Sequence, residues 1–150
     1  MIEDASQHAL RLFSKDYNCA QSVMKAILVA VDMDFNEIVF LAAGLGGGVS
    51  HEGNVCGAVS GAVAALGVIN SRISNDVQQH KQNTYIDGEK FIQRFKKEHS
   101  TIICRDLTGI NISNKASLDK AIRDGTFERT CPAFVENAVR YALELVENKL

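Results

Sequence analysis

Four cysteines, Cys19, Cys56, Cys104 and Cys131, are the residues of this chain best suited to do chemistry, and their positions say more than their number. Cys19 directly follows Asn18, a good helix N-cap; Cys56 stands two residues after Asn54, another; Cys131 directly precedes Pro132. Proline is favoured at the first helical position, so Cys131 itself is placed as an N-cap. Backbone N–H groups without intrahelical partners converge at such ends, and the helix dipole adds partial positive charge. Both favour thiolate over thiol, and the thiolate is the form that attacks electrophiles and binds metals. On their helices Cys19 shares a side with Val23 and Ile27, Cys56 with Ser60 and Val63, and Cys131 with Val135 and Ala138, so all three point toward a shared interior. Cys104, between Ile103 and Arg105 and near Leu107, is the easiest to read as an inert buried residue.

The spacing leaves the chemistry open among metal binding, dithiol–disulfide cycling and simple burial. No CxxC pair is present, so the signatures of thioredoxin-like exchange and of zinc ribbons are missing, and any common site must be assembled by the fold from four distant segments. His51, in the loop before Cys56, can serve as a base or a ligand or simply be an exposed loop histidine. His99 repeats that five-residue offset before Cys104, a spacing that separates helical faces; His8 and His80 fall on predicted solvent faces. Asp32, Asp34 and Glu136 read as solvated or capping acids, and no serine, histidine and aspartate constellation emerges.

The elements that must position these cysteines read as helices. Ile2, Ala5, Ala9, Leu12 and Phe13 recur at helical spacing; Cys19, Val23, Ile27 and Ala30 continue a second helical face capped by Asn18. Asp34 or Asn36 can open a third helix through Phe40 and Leu41 that Gly44 ends, and Asn54 can cap a fourth running to about Ile69. Ser74 to Lys97 reads as a long polar helix interrupted in propensity by Gly88; Ser100 can cap a short turn ending at Gly109. Ser117 to Arg123 is a short helix, and the last begins at Thr130 to Pro132, with Phe134, Ala138, Tyr141, Ala142 and Leu145 on one side. The expectation is an all-α, single-domain bundle of about six to seven helices over residues 1–150, built around a central helix of small residues.

That central helix follows GLGGGVSHEGNV. Gly57 and Gly61, with Ala58, Ala62, Ala64 and Ala65, let neighbouring backbones come close, while Gly46 to Gly48 let the loop fold over the helix entrance and present amides beside Cys56. The same stretch invites comparison with dinucleotide and phosphate loops. Gly44 and Gly46 lack the third glycine of GxGxxG and no GK[ST] follows, so no nucleotide cofactor is expected.

Composition narrows the function classes. The 150 residues are 46% hydrophobic and 23% charged with a formal net charge of -2, which removes disorder and the basic footprint of a nucleic-acid binder. MIEDASQHALRLF lacks the basic-then-apolar pattern of a signal peptide, and Val55 to Ile69 falls short of the ~20 residues that span a bilayer. A cytoplasmic protein with no membrane partner is expected, in a reducing compartment that disfavours static disulfides.

At these residues the chain resembles the family of "putative redox-active proteins" named C_GCAxxG_C_C after its cysteines and glycine motif. The resemblance is carried by Cys19 in YNCAQS, Cys56 in GNVCGAVSGA, Cys104 in IICRDLTG and Cys131 in RTCPAFVENA; the central motif here reads CGAxxG, from Cys56 to Gly61. It implies redox activity. A similar domain is fused to haem-binding modules in electron-transfer proteins of some anaerobes and is associated there with an iron–sulfur centre; this chain has no CxxCH for haem attachment. The resemblance implies that Cys19, Cys56, Cys104 and Cys131 are catalytic thiols or metal ligands, with Gly53, Gly57 and Gly61 against the cofactor. The implied function is electron transfer on an iron–sulfur cluster or dithiol–disulfide cycling, with an unidentified redox partner; the wide cysteine spacing also allows a site shared across a homodimer. The contrasting expectation is a binding module with a structural zinc site or inert cysteines.

Overall fold

Asn18 starts the helix that carries Cys19 by a reciprocal exchange. Its side-chain oxygen accepts from the Gln21 N–H and the Gln21 side chain accepts from the Asn18 N–H, both at 2.9 Å, a complete capping box. The two caps also reach outward: Asn18 Nδ2 donates to the Ala43 carbonyl (2.9 Å) and Gln21 Nε2 to that of Val39 (2.6 Å), so one helix entrance holds down the segment before the glycine loop.

The computed structural model describes residues 1–150 and is all-α; an isolated antiparallel bridge between Val55 and Ile103 is its nearest approach to a strand. Nine right-handed α-helices follow in order: α1 Ile2–Phe13, α2 Cys19–Ala30, α3 Ile38–Leu41, α4 Gly57–Asn70, α5 Val77–His99, α6 Cys104–Thr108, α7 Lys115–Arg123, α8 Thr126–Thr130 and α9 Pro132–Val146. Three of them, α3, α6 and α8, are pieces of four or five residues, which leaves six longer helices to make the bundle the sequence predicts. None is long and apolar enough to cross a membrane.

The small-residue helix α4 lies at the centre, packed on α2, α5 and α9, and α1 closes the bundle against α2 and α9. Of its four alanines, Ala58, Ala62 and Ala65 are fully buried, as are Val23, Ile27 and Leu28 of α2 and Val135, Ala138 and Ala142 of α9. Close approach has a specific cause at Gly61: a Cβ there would lie 2.7 Å from the Ala20 carbonyl oxygen and 3.1 Å from Ala20 Cα, backbone atoms that cannot step aside. At the other end of α4 the buried Asp87 carboxylate is not left alone; Lys149 Nζ (2.6 Å) and Asn70 Nδ2 (2.9 Å) both donate to it.

Several boundaries differ from the sequence reading. Cys56, not Asn54, is the N-cap of α4; the Asn54 N–H donates to the Gly48 carbonyl and its carbonyl accepts from the N–H of Cys104, the first residue of α6. Ser100 ends α5 in a left-handed conformation (φ 75°) instead of opening the next turn, which Ile103 caps. Asp76 caps α5, which runs unbroken through Gly88.

Candidate redox site

All four cysteines stand at helix starts. Cys19 is the first residue of α2 and Cys104 the first of α6; Cys56 and Cys131 are the N-caps of α4 and α9. Cys104 therefore joins the pattern that the sequence assigned to the other three. The signal was present in Gly109, which ends α6 at φ 71°, but α6 is only five residues long and leaves almost no periodicity to read.

Two backbone devices bring these starts together. The first is the Val55–Ile103 bridge: the Ile102 carbonyl accepts from Cys56 N–H (2.7 Å), the Asn54 carbonyl from Cys104 N–H (2.6 Å) and the Gly53 carbonyl from Arg105 N–H (3.1 Å). The entrances of α4 and α6 are thereby laid side by side. The second is the glycine loop. Gly47, Gly48, Val49, Ser50 and His51 all have φ between 50° and 67°, a left-handed turn of five consecutive residues. Such conformations cost non-glycine L-residues roughly 1–2 kcal/mol each, so Val49, Ser50 and His51 carry strain that the surrounding bonds must hold. Those bonds are Ser50 N–H to the Gly44 carbonyl (2.9 Å), Gly53 N–H to Gly47 (3.1 Å) and Asn54 N–H to Gly48 (2.9 Å).

The loop turns the Gly47 amide toward the Cys19 sulfur. Gly57 approaches the same sulfur from α4: a Cβ there would lie 2.6 Å from Cys19 Sγ. The candidate glycines thus separate by role. Gly57 lies against the Cys19 sulfur; Gly53 sits at φ 72° against Arg105 and Ile112 in the bridge; Gly61 packs on the α2 backbone.

The four sulfurs differ sharply in acidity. Cys19 is lowered to about 7, first by the Cys56 thiol, whose S–H stabilises its anion, and then by the amides of Ala20, Gly47 and Ala58, which together outweigh burial. Cys56 is raised well above the ordinary thiol range by that same donation, by burial and by the charge on Cys19. Burial and the Cys19 charge push Cys104 up to about 11; burial, Cys19 and Cys104 push Cys131 up to about 12. Placement at helix starts predicts lowered pKa values at Cys19, Cys56 and Cys131 alike. Only Cys19 is lowered: burial is the first cause that raises Cys104 and Cys131, donation to Cys19 is the first at Cys56, and the charge on Cys19 adds to all three. The site favours a single negative charge, on Cys19, with the other three sulfurs held as thiols.

Cys19, Cys104 and Cys131 open onto one cavity of about 180 Å³, with Cys56 behind Cys19 and buried. His51, exposed on the strained turn, lines the same cavity with its ring against Gly47, where a Cβ would come within 2.4 Å of His51 Cδ2. His99 lies elsewhere, stacked among Phe95 and Phe134 and bonded to Asn137 Nδ2 (3.0 Å), and His80 bonds the Gly67 carbonyl (2.7 Å). All four thiols are free, and no three His, Cys, Asp or Glu side chains stand at metal-holding spacing.

A family model described as "Putative redox-active protein (C_GCAxxG_C_C)" matches residues 17–145, a span that contains all four cysteines. The chain belongs to this family. An uncharacterized protein of Archaeoglobus fulgidus is 32% identical over 75 residues; the match spans about half of each chain, 49% of this one and 50% of the relative. No solved structure matches the C_GCAxxG_C_C chain.

Proposed function

We propose that this protein is a thiol–disulfide redox protein in which Cys19 is the attacking thiolate and Cys56 the resolving thiol. The observation that carries the reading is the division of labour between two neighbouring sulfurs. Cys19 faces the cavity and is lowered to about 7, while Cys56 lies behind it, buried and protonated. An attacking thiol is most effective when its pKa is near ambient pH, since a lower value sacrifices nucleophilicity and a higher one sacrifices thiolate. Cys19 meets that condition, and the donor that stabilises its anion is the group that would next form the disulfide. Cys104 and Cys131, raised to about 11 and about 12, are held as neutral thiols around the pair.

The expected result is a pH profile of iodoacetamide labelling, resolved by peptide, in which Cys19 reacts with a midpoint near pH 7 and the other three stay slow through pH 8.5. In a Cys56→Ala variant the Cys19 midpoint should move up toward the ordinary ~8.5 of a free cysteine. A Cys19 midpoint already at 8.5 in the native protein would remove the attacking role.

The convergence of four helix starts on one neighbourhood favours a second reading, a metal-bound form in which the sulfurs rearrange around iron or zinc. No step is built on it, since the donors do not stand at metal spacing. Anaerobic purification with iron, sulfide and zinc analysis decides between the two: a colourless, metal-free protein supports the dithiol, and stoichiometric iron with sulfide supports the cluster.

A further inference from the structure

The cavity on which Cys19 opens has walls unlike those of a site for charged substrates. Phe13 at the end of α1, Ile112 after α6, Leu118 and Ile122 of α7, and Phe127 of α8 form its apolar lining. Besides the thiols, the polar side chains that reach it are those of Asn18 and His51, and no lysine, arginine, aspartate or glutamate lines it. Asn18 is already committed to the α2 capping box and to the Ala43 carbonyl. The volume, about 180 Å³, exceeds the ~15 Å³ a single water needs and lies below the ~300–1,000 Å³ of sites for drug-sized ligands. A bulky peptidic disulfide carrying ammonium and carboxylates would have to shed their hydration against phenylalanine and isoleucine with the Cys19 thiolate as the sole charge, which repels the carboxylates and can offset at most one ammonium, so its entry is strongly unfavourable.

We propose that the cavity is a substrate pocket for small uncharged disulfides, seated by α7 and α8 with one sulfur against Cys19. The inference rests on the dithiol reading above and gives it a substrate class. In the forward step the Cys19 thiolate forms a bond to the nearer substrate sulfur, the substrate S–S bond breaks, and the farther half leaves as RS⁻. Cys56 then gives up its proton and its sulfur attacks Cys19 from behind, expelling the second half. The sum is Cys19–S⁻ plus Cys56–SH plus RSSR, giving a Cys19–Cys56 disulfide, RS⁻ and RSH; two electrons pass from the protein to the substrate, and the proton comes from Cys56. The geometry suits this order, since Cys19 lines the cavity whereas Cys56 does not.

The test uses three disulfides of similar size and different charge: diethyl disulfide (neutral), cystamine (dication) and dithiodiglycolate (dianion). The fully reduced protein is mixed with each at pH 7.5, Cys19–Cys56 bond formation is followed by quenched-flow mass spectrometry, and each rate is divided by that of the same disulfide with a small free thiol. The division removes differences in leaving-group acidity. The expected normalised rate is at least ~10-fold higher for diethyl disulfide than for either charged compound, a tenfold ratio being ~1.4 kcal/mol of discrimination. Ile122 is 55% exposed, so Ile122→Lys can place a cation on the cavity wall without opening the core; it should reduce the preference to within ~3-fold and favour the dianion. Equal normalised rates for all three compounds in the native protein, with the Cys19–Cys56 bond still forming, would overturn the substrate class and leave the dithiol standing. A preference unchanged in Ile122→Lys would also overturn it, by showing that selectivity arises outside this cavity. Failure of every disulfide, and of diamide as well, to form the Cys19–Cys56 bond would sink both.

Discussion

Replacing Cys19 by serine is expected to slow oxidation of the reduced protein by a small disulfide by up to about 100-fold at pH 7. The upper bound follows from Cys104 and Cys131 as they stand beside Cys19. At about 11 and about 12, the better of them is thiolate in only about one molecule in 10⁴ at pH 7, against about half for Cys19; burial, the first cause at both, persists in the variant, while loss of the Cys19 charge brings them down. The greater intrinsic nucleophilicity of a more basic thiolate, scaling with a Brønsted coefficient of ~0.4–0.5, returns a factor of roughly 60. Cys56→Ala should behave differently. Cys19 loses its S–H donor, yet the amides of Ala20, Gly47 and Ala58 remain, so the first attack slows by less than ~10-fold. The reaction then stops: with no resolving sulfur behind Cys19, intact-mass analysis should find a stable mixed disulfide with the substrate. Equal losses in the two variants, without a trapped adduct, would mean that neither sulfur has the role assigned here.

The second large effect concerns the strained loop and is thermodynamic. Gly48→Ala is expected to cost about 3 kcal/mol in chemical denaturation. A Cβ at residue 48 would stand 2.5 Å from Asn54 N, 2.7 Å from the Gly53 carbonyl carbon and 2.8 Å from Cys104 Cβ, and φ there is 67°. Overpacking against backbone costs roughly 1–3 kcal/mol and a left-handed non-glycine residue roughly 1–2. The neighbouring Val49→Gly should go the other way, stabilising by about 0.5–1 kcal/mol. Val49 is β-branched at φ 66° and 41% exposed, so glycine relieves more strain than it loses in contacts and chain entropy. Opposite signs at adjacent residues are hard to obtain unless the chain here is left-handed. Because the loop aims the Gly47 amide at Cys19, Gly48→Ala protein that still folds should also show a raised labelling midpoint at Cys19.

The readable part of this molecule was local. Asn18 before Cys19 and Pro132 after Cys131 are cap signals with a steric and hydrogen-bonding cause, and both place their cysteine where the sequence puts it. The alanines and glycines of α4 announce close packing, and Gly61 on Ala20 delivers it. Non-local arrangements were not readable. Nothing in IICRDL says that Ile102 and Ile103 pair with the segment around Val55, yet that bridge sets Cys104 beside Cys56 and engages the Asn54 carbonyl. The apolar roof of α7 and α8 gave no sign of lying over Cys19, because Leu118, Ile122 and Phe127 read equally well as the buried face of any short helix. The pKa values were the least accessible, since helix starts alone would lower all of them; that only Cys19 is lowered belongs to burial and to the sulfurs' effect on one another.

The pairing of Cys19 with Cys56 carries the functional account, and one measurement addresses it directly. The reduced protein is oxidised with a single equivalent of diamide, remaining thiols are alkylated, and disulfide-linked peptides are identified by mass spectrometry without reduction. The account predicts one dominant cross-link, Cys19 to Cys56 within the same chain, with Cys104 and Cys131 recovered alkylated. A dominant link between Cys104 and Cys131, or between two chains, would contradict it.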